Sequence, residues 1–207
     1  MISEIQLALN SLDKSFDADI ANKLSKLIIE LEHWNKKINL TAIRDRNKMI
    51  SSHLLDSLVA APFIKGNSVL DVGTGPGFPG LPLAITQPKR HFTLLDSNNK
   101  KIMFVEHITG LLGISNVSAI KIRSEDYAPG FGFDTVIARA VASLPKLLEI
   151  AGHLVGEDGL FIGLKGRYPV QELEKMNKLN AQWSYTVKEL CVPGLNKGSR
   201  HAVLLRR

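Results

Sequence analysis

Residues 69–85 of the sequence read VLDVGTGPGFPGLPLAI, and they contain the strongest structural signal in the chain. A short apolar run ends at Val72, and the apolar run that follows contains prolines suited to the first turn of a helix. Glycine permits positive φ and a close approach of the backbone to a ligand. A strand, a tight turn and a helix in this order therefore predict a ligand-binding loop at the carboxyl end of a β-strand. The four glycines between the two runs are Gly73, Gly75, Gly77 and Gly80.

The loop matches two cofactor patterns. From Gly75 to Gly80 it satisfies G-x-G-x-x-G, which is typical of dinucleotide binding. Read from Asp71 it is D-x-G-x-G, and a carboxylate before the loop would repel a pyrophosphate and attract a ligand that carries an ammonium group. Asp96 lies about twenty residues after Gly73, where a carboxylate accepts hydrogen bonds from a ribose diol. Together these acids and glycines favour S-adenosylmethionine as the cofactor.

The chain after residue 68 alternates between short apolar runs and helical patterns. This alternation predicts an α/β fold whose mostly parallel sheet is covered on both faces. The last two apolar runs have no helical pattern between them, so we expect an antiparallel hairpin at one sheet edge. The expected strands are 68–72, 91–96, 117–122, 133–139, 159–165, 183–193 and 200–207, and the expected helices among them are 78–86, 98–113 and 143–154.

The first 64 residues differ from the rest, because they contain no glycine and have a helical periodicity. Apolar residues recur at spacings of three and four from Ile20 to Ile38, which predicts a long amphipathic helix after Asp17. Shorter helices are expected at 3–12 and 47–61. We therefore predict an N-terminal helical cap at 1–64 and a Rossmann-like domain at 65–207, forming one compact unit.

The composition limits the partners and the compartment. A net charge of +6 and a pI near 9.4 favour a polyanionic partner such as nucleic acid. No apolar run reaches the roughly 18 residues of a membrane span, and the N-terminal segment has an acid at Glu4 and no basic run typical of a secretory leader. The single cysteine, Cys191, fits a reducing compartment. We expect a cytoplasmic monomer without a metal site and without a membrane partner.

Further blocks of sequence accompany the loop in a fixed order. Together they resemble those of the bacterial small-subunit rRNA guanine-N7 methyltransferases, also known as the glucose-inhibited division protein B family. The resemblance extends from about Leu24 to the C-terminus, whereas a glycine loop alone would be common to many methyltransferases. The blocks are WNKKINLTAIRD (34–45), HLLDSL (53–58), LLDSNNKK (94–101), FDTVIARAVAS (133–143), LKG (164–166) and RHAVLL (200–205).

This resemblance implies a class I SAM-dependent methyltransferase fold and methyl transfer to a guanine of 16S rRNA, either free or in a small ribosomal subunit. The third expected strand ends in RSEDY, where an adenine edge would lie in such a fold. Gly77 is expected to shape the turn into the next helix. The family's cofactor contacts, carried onto this chain, are Gly73, Phe78, Ser124, Glu125 and Arg139.

Arg139 ends the fourth expected strand and is the predicted catalytic residue. Methyltransferases that act on amines often have an Asp/Asn-Pro-Pro-aromatic motif there, and this chain has none. Guanine N7 has no proton to lose, so its methylation requires no base at that position. The guanidinium could hold guanine O6, a phosphate or the cofactor carboxylate, or it could pair with a nearby carboxylate for a structural purpose.

Basic residues on the cofactor side of the sheet are expected to contact RNA. His53 and Asp56, three apart on a helix, are expected to stabilise the helical cap instead of taking part in chemistry. Two alternatives stay open, namely a dinucleotide-dependent oxidoreductase that uses the 75–80 loop and a non-catalytic RNA-binding module. The predicted RNA contacts are Lys100, Arg123, Lys165, Arg200 and His201.

Overall fold

A computed structural model describes residues 2–12, 16–179 and 182–207. Its centre is a seven-stranded sheet in the order β3-β2-β1-β4-β5-β7-β6. Strands β1 to β5 pair in parallel, and β7 pairs antiparallel with both β5 and β6. The predicted α/β fold with an antiparallel edge is confirmed. The strands are β1 (Ser68–Val72), β2 (His91–Asp96), β3 (Val117–Lys121), β4 (Phe133–Arg139), β5 (Val155–Lys165), β6 (Ser184–Glu189) and β7 (His201–Arg206).

The strand order reverses between β1 and β4, since β2 lies on one side of β1 and β4 lies on the other. In open α/β sheets a crevice forms at the carboxyl ends of the strands at such a point. Register pairs Val72 with Leu95 of β2 and with Ala138 of β4, so the three strands end at nearly the same level. The loop after Val72, Asp96 and Arg139 therefore emerge at one edge of the sheet.

Helices cover both faces of the sheet. Buried Leu27, Leu31, Phe92, Leu94 and Phe104 belong to one core cluster, which joins the N-terminal helices to the sheet. The other cluster packs the later helices against the opposite face. The helices are α1 (Ile2–Asn10), α2 (Ala18–Asn35), α3 (Arg46–Met49), α4 (Asp56–Leu58), α5 (Gly80–Thr86), α6 (Asn99–Leu112), α7 (Leu144–Ala151) and α8 (Val170–Leu179).

The helix expected at 47–61 is divided into several parts. A π-helical segment, Ile50–Leu55, joins α3 to α4, and a 3₁₀ turn, Ala61–Phe63, follows. The Ser51 hydroxyl donates to the carbonyl of Asn47 at 3.1 Å, and such side-chain bonds compete with the regular α-helical ladder. The π-helical segment carries His53 and lies directly before Asp56.

Helix α8 has no counterpart among the predicted elements. Pro169 precedes it, and Leu173 and Met176 are its buried positions, so the underlying spacing of three was present in a mostly polar sequence. Strand β5 also begins earlier than expected, at Val155, where the register of the β4–β5 pairing shifts. Within the described ranges, no helix is both long and apolar enough to cross a membrane.

Candidate functional site

The loop between β1 and α5 is fixed by hydrogen bonds from its own backbone. The amide of Thr74 donates to the carbonyl of Leu95 at 2.8 Å, and the amide of Gly75 donates to Asp96 Oδ2 at 2.9 Å. Gly73 and Gly75 both have positive φ, at 65° and 62°. A Cβ added at Gly75 would meet nothing within 4 Å, whereas one at Gly73 would lie 2.6 Å from Val141. The backbone at Gly75 thus faces open space, and a ligand can approach it closely.

Asp71 lies beneath this loop and is fully buried. Its Oδ2 accepts hydrogen bonds from the Thr74 hydroxyl at 2.6 Å and from the Gly80 amide at 2.8 Å. Burial raises the pKa of Asp71 to about 6, against the hydrogen bonds from Thr74 and Gly80, which lower it. Its Oδ1 has no hydrogen-bond partner among the described residues. The carboxylate therefore braces the loop from below and lines neither of the two cavities described next.

The first cavity, of about 250 Å³, lies between the ends of β1, β2 and β3. Asp96 accepts from the Asn98 amide at 2.8 Å and lies 3.7 Å from Lys101 Nζ. The Ser124 hydroxyl donates to Glu125 at 3.0 Å. The hydrogen bond from the backbone amide of Glu125, and to a smaller extent the one from this hydroxyl, hold the pKa of Glu125 below its usual range. The sequence-predicted residues that line this cavity together are Gly73, Asp96, Arg123, Ser124 and Glu125.

The second cavity, of about 500 Å³, lies on the other side of the same loop, towards the helical cap. Phe78 is buried in its wall and stacks on His53, with ring centroids 5.1 Å apart. Ala140 lines both cavities and has a φ of 56°, which is unusual for a residue other than glycine. The predicted residues that line the second cavity are Gly73, Gly75, Phe78, Arg139, Lys165 and Arg200.

Asp56 joins two arginines in the wall of the second cavity. Its Oδ2 accepts from Arg139 Nη1 at 2.9 Å, and its Oδ1 accepts from Arg200 Nε at 2.8 Å. The Asp56 side chain is only 6% exposed, and the side chain of Arg139 is 14% exposed. Arg139 is also bonded to the carbonyl of Ser52 at 3.0 Å. One buried carboxylate from the helical cap thus fixes cations from the ends of two sheet strands.

His53 completes this group. Arg139 Nη2 lies 3.4 Å from His53 Nδ1, and a guanidinium can only donate, so Nδ1 is the acceptor. The ring proton is therefore on Nε2, which lies 2.9 Å from the Thr41 hydroxyl. Burial, and then the charge of Arg139, lower the pKa of His53 to about 4, so its ring is neutral at pH 7. His53 and Asp56 belong to the helical cap, and they also line the second cavity. The feature of the sequence that could have indicated this is their three-residue spacing within the HLLDSL block.

The predicted RNA contacts differ in their surroundings. Lys100 and Arg123 are exposed. Lys165 Nζ is held by Glu172 at 2.8 Å and by the carbonyl of Ala142 at 2.7 Å. His201 is buried, and its Nδ1 is bonded to the carbonyl of Gly166 at 2.8 Å. Contrary to the expectation of a surface contact, the His201 ring is buried, because β7 lies between β5 and β6 and the segment after β5 covers the ring through Gly166 and Tyr168.

The glycine loop, the two adjoining cavities and the antiparallel strand β7 between β5 and β6 are features of the class I methyltransferase fold. The fold is shared with a glycopeptide N-methyltransferase crystallised with S-adenosylmethionine (TM-score 0.63, 9% identity, covering 74% of this chain and 86% of that chain). It is also shared with a ribosomal protein L11 methylase from Lactobacillus delbrueckii subsp. bulgaricus (TM-score 0.54, 20% identity, covering 79% of each chain).

The sequence assigns the family. A family model described as GidB, rRNA small subunit methyltransferase G, matches residues 20–203, and the chain belongs to this family. A Ribosomal RNA small subunit methyltransferase G from Legionella pneumophila (strain Corby) is 48% identical over 90% of this chain and 86% of its own length. One from Actinobacillus succinogenes is 39% identical over 98% of this chain and 95% of its own length. The resemblance predicted from the sequence blocks is confirmed.

Proposed function

We propose that this protein transfers a methyl group from S-adenosylmethionine to N7 of a guanine in 16S rRNA. The observation that carries the proposal is the family match over residues 20–203, together with relatives whose names specify methylation of small-subunit ribosomal RNA. The choice of guanine N7 comes from the resemblance of the sequence blocks. We further propose a cytoplasmic monomer in which the cap at 1–64 and the domain at 65–207 form one unit, acting on free 16S rRNA or on the small subunit.

The first cavity and the adjoining loop suit the cofactor. Gly75 offers open space beside its backbone, and Asp96 offers carboxylate oxygens that can accept further bonds from a ribose diol. The unpartnered Oδ1 of buried Asp71 adds negative charge beneath a ligand that carries an ammonium group. Bound S-adenosylmethionine supplies a methyl group activated by its sulfonium. We assign its direct contacts to Gly73, Gly75, Phe78, Asp96, Ser124, Glu125 and Arg139, whereas Asp71 and Gly77, which line neither cavity, shape the loop that holds the cofactor.

The second cavity suits an acceptor that loses no proton. Both oxygens of Asp56 are engaged by guanidinium groups, and both ring nitrogens of His53 have partners. No free general base stands beside Arg139 among these groups, and guanine N7 needs none because it is a lone-pair acceptor. The work left to the protein is positioning and electrostatic stabilisation.

Arg139 is the residue we assign to the reacting base. Of its five N–H groups, three are directed at Ser52, Asp56 and His53, which leaves two for a further acceptor such as guanine O6. Its three partners hold the guanidinium in one orientation. Arg139→Ala is therefore expected to abolish methyl transfer while the fold is retained.

The test uses small subunits from cells that lack this protein, with labelled S-adenosylmethionine as donor. The expected product is label on 16S rRNA at a single guanine, at which borohydride and aniline treatment cleaves the chain. Label on an exocyclic amine would overturn the N7 assignment. Binding of the subunit without transfer would indicate an RNA-binding module. Thermal stabilisation by NAD and not by S-adenosylhomocysteine would indicate an oxidoreductase.

A further inference from the structure

An exposed aromatic side chain lies beside the second cavity. Tyr168 is 52% exposed and belongs to the short segment that connects β5 to α8. Residues 165–172 line a third depression of about 460 Å³, which shares Lys165 and Gly166 with the second cavity. The tyrosine is thus next to the place where the acceptor base would enter.

The segment that carries Tyr168 is held in place from both ends. Buried His201 is bonded to the carbonyl of Gly166 at 2.8 Å, and its ring packs on that of Tyr168 at 5.5 Å with an angle of 85°. Lys165 is tied to Glu172 in the first turn of α8. A platform that is already ordered loses little conformational entropy when it binds a ligand. This contact gives His201 a function consistent with its burial.

The charges around Tyr168 are unequal. The ammonium of Lys165 is offset by Glu172, whereas Arg167 is exposed and forms no ion pair with any residue in the described ranges. An exposed aromatic ring beside a free guanidinium is the combination with which proteins bind single-stranded RNA, through base stacking and a phosphate contact. N7 is shielded in the deep, narrow major groove of an RNA helix, so the nucleotides around the target must be unpaired.

We propose that Tyr168 is a stacking platform for an unpaired base next to the target guanine, and that Arg167 binds the adjoining phosphate. This inference rests on the proposed function and adds the way in which the RNA strand is held. The His201 ring supports the platform from inside and does not touch the RNA.

The experiment compares Tyr168→Leu with Tyr168→Phe, and uses Tyr185→Leu as a matched control on strand β6. Tyr185 is also exposed, at 36%, and lies outside the residues that line the three cavities described above. Equilibrium binding of each variant to undermethylated small subunits is measured by filter retention, alongside the KM for the subunit, the kcat and the affinity for S-adenosylhomocysteine.

Tyr168→Leu is expected to weaken subunit binding about 5-fold to 150-fold, the usual range for loss of one stacked base, with cofactor affinity unchanged. Tyr168→Phe should bind within about twofold of the wild type because the ring remains. Arg167→Gln should weaken binding and lower the salt dependence by about one phosphate contact. The platform would be overturned if Tyr168→Leu bound the subunit as tightly as the wild type. It would also be overturned if Tyr168→Phe or the control Tyr185→Leu lost as much affinity as Tyr168→Leu. Failure of the wild type to methylate rRNA would instead overturn the proposed function.

Discussion

Asp56→Asn is expected to destabilise the protein by about 3 kcal/mol. The substitution removes the charge that Arg139 and Arg200 share at 2.9 and 2.8 Å. Removal of one partner from a buried ion pair costs about 3–5 kcal/mol, because the other charge stays buried without compensation. The low end applies here, since Arg200 is 28% exposed and asparagine keeps one acceptor oxygen. In a chain of this length, a loss of about 3 kcal/mol lowers Tm by about 6–12 °C.

The assay is urea unfolding followed by tryptophan fluorescence, with the free energy of unfolding extrapolated to water. Glu149→Gln is the control, because Glu149 pairs with Lys146 at 2.6 Å on the surface, where the two side chains are 67% and 51% exposed. An exposed pair of this kind contributes about 0–1 kcal/mol. If Asp56→Asn loses no more stability than Glu149→Gln, the buried bridge does not hold the two arginines as described.

Three further perturbations test the loop. Burial raises the pKa of Asp71 above its ordinary 3.8 to about 6, so its contribution to stability is full below pH 3.8 and is lost as pH rises through 6. Between pH 4 and 7 the wild type should lose on the order of 3 kcal/mol of unfolding free energy from this group, and Asp71→Asn should not. Parallel pH profiles of the two proteins in urea unfolding would refute this prediction. Gly80→Ala should cost about 1–3 kcal/mol, because its Cβ would lie 2.8 Å from both Asp71 and Leu94. The control is Gly110→Ala in α6, because a Cβ added there would meet nothing within 4 Å and alanine favours a helix, so no destabilisation is expected. Asp96→Ala should weaken S-adenosylhomocysteine binding by about 1.5–3 kcal/mol in calorimetric titration, and unchanged affinity would remove Asp96 from the site.

Much of the fold was predictable because its signals are local. The strand bounds at Ser68–Val72, His91–Asp96 and Phe133–Arg139 agree with the apolar runs in the sequence. The wrong predictions lie where local patterns compete. Helix α8 has a polar composition that hides its spacing of three. The π-helical segment Ile50–Leu55 differs from an α-helix only in that its hydrogen bonds span five residues instead of four.

The candidate site was predictable only in part. Gly73, Asp96 and Ser124 meet at one cavity because the ends of parallel strands meet at one edge of the sheet, which a strand pattern is enough to establish. The role of Asp56 could not be obtained in this way. It bonds to residues 83 and 144 positions away, and no periodicity in the chain connects them.

The α/β alternation, the glycine loop and the family can all be predicted from the sequence, because periodicity, backbone freedom and motif blocks are properties of short stretches. Which charged side chains contact each other depends on the tertiary structure. It turned His201 inward beneath Tyr168, and it brought Asp56 from the helical cap against Arg139 and Arg200. Such contacts depend on how the cap packs on the sheet, and that packing comes from burial summed over many side chains.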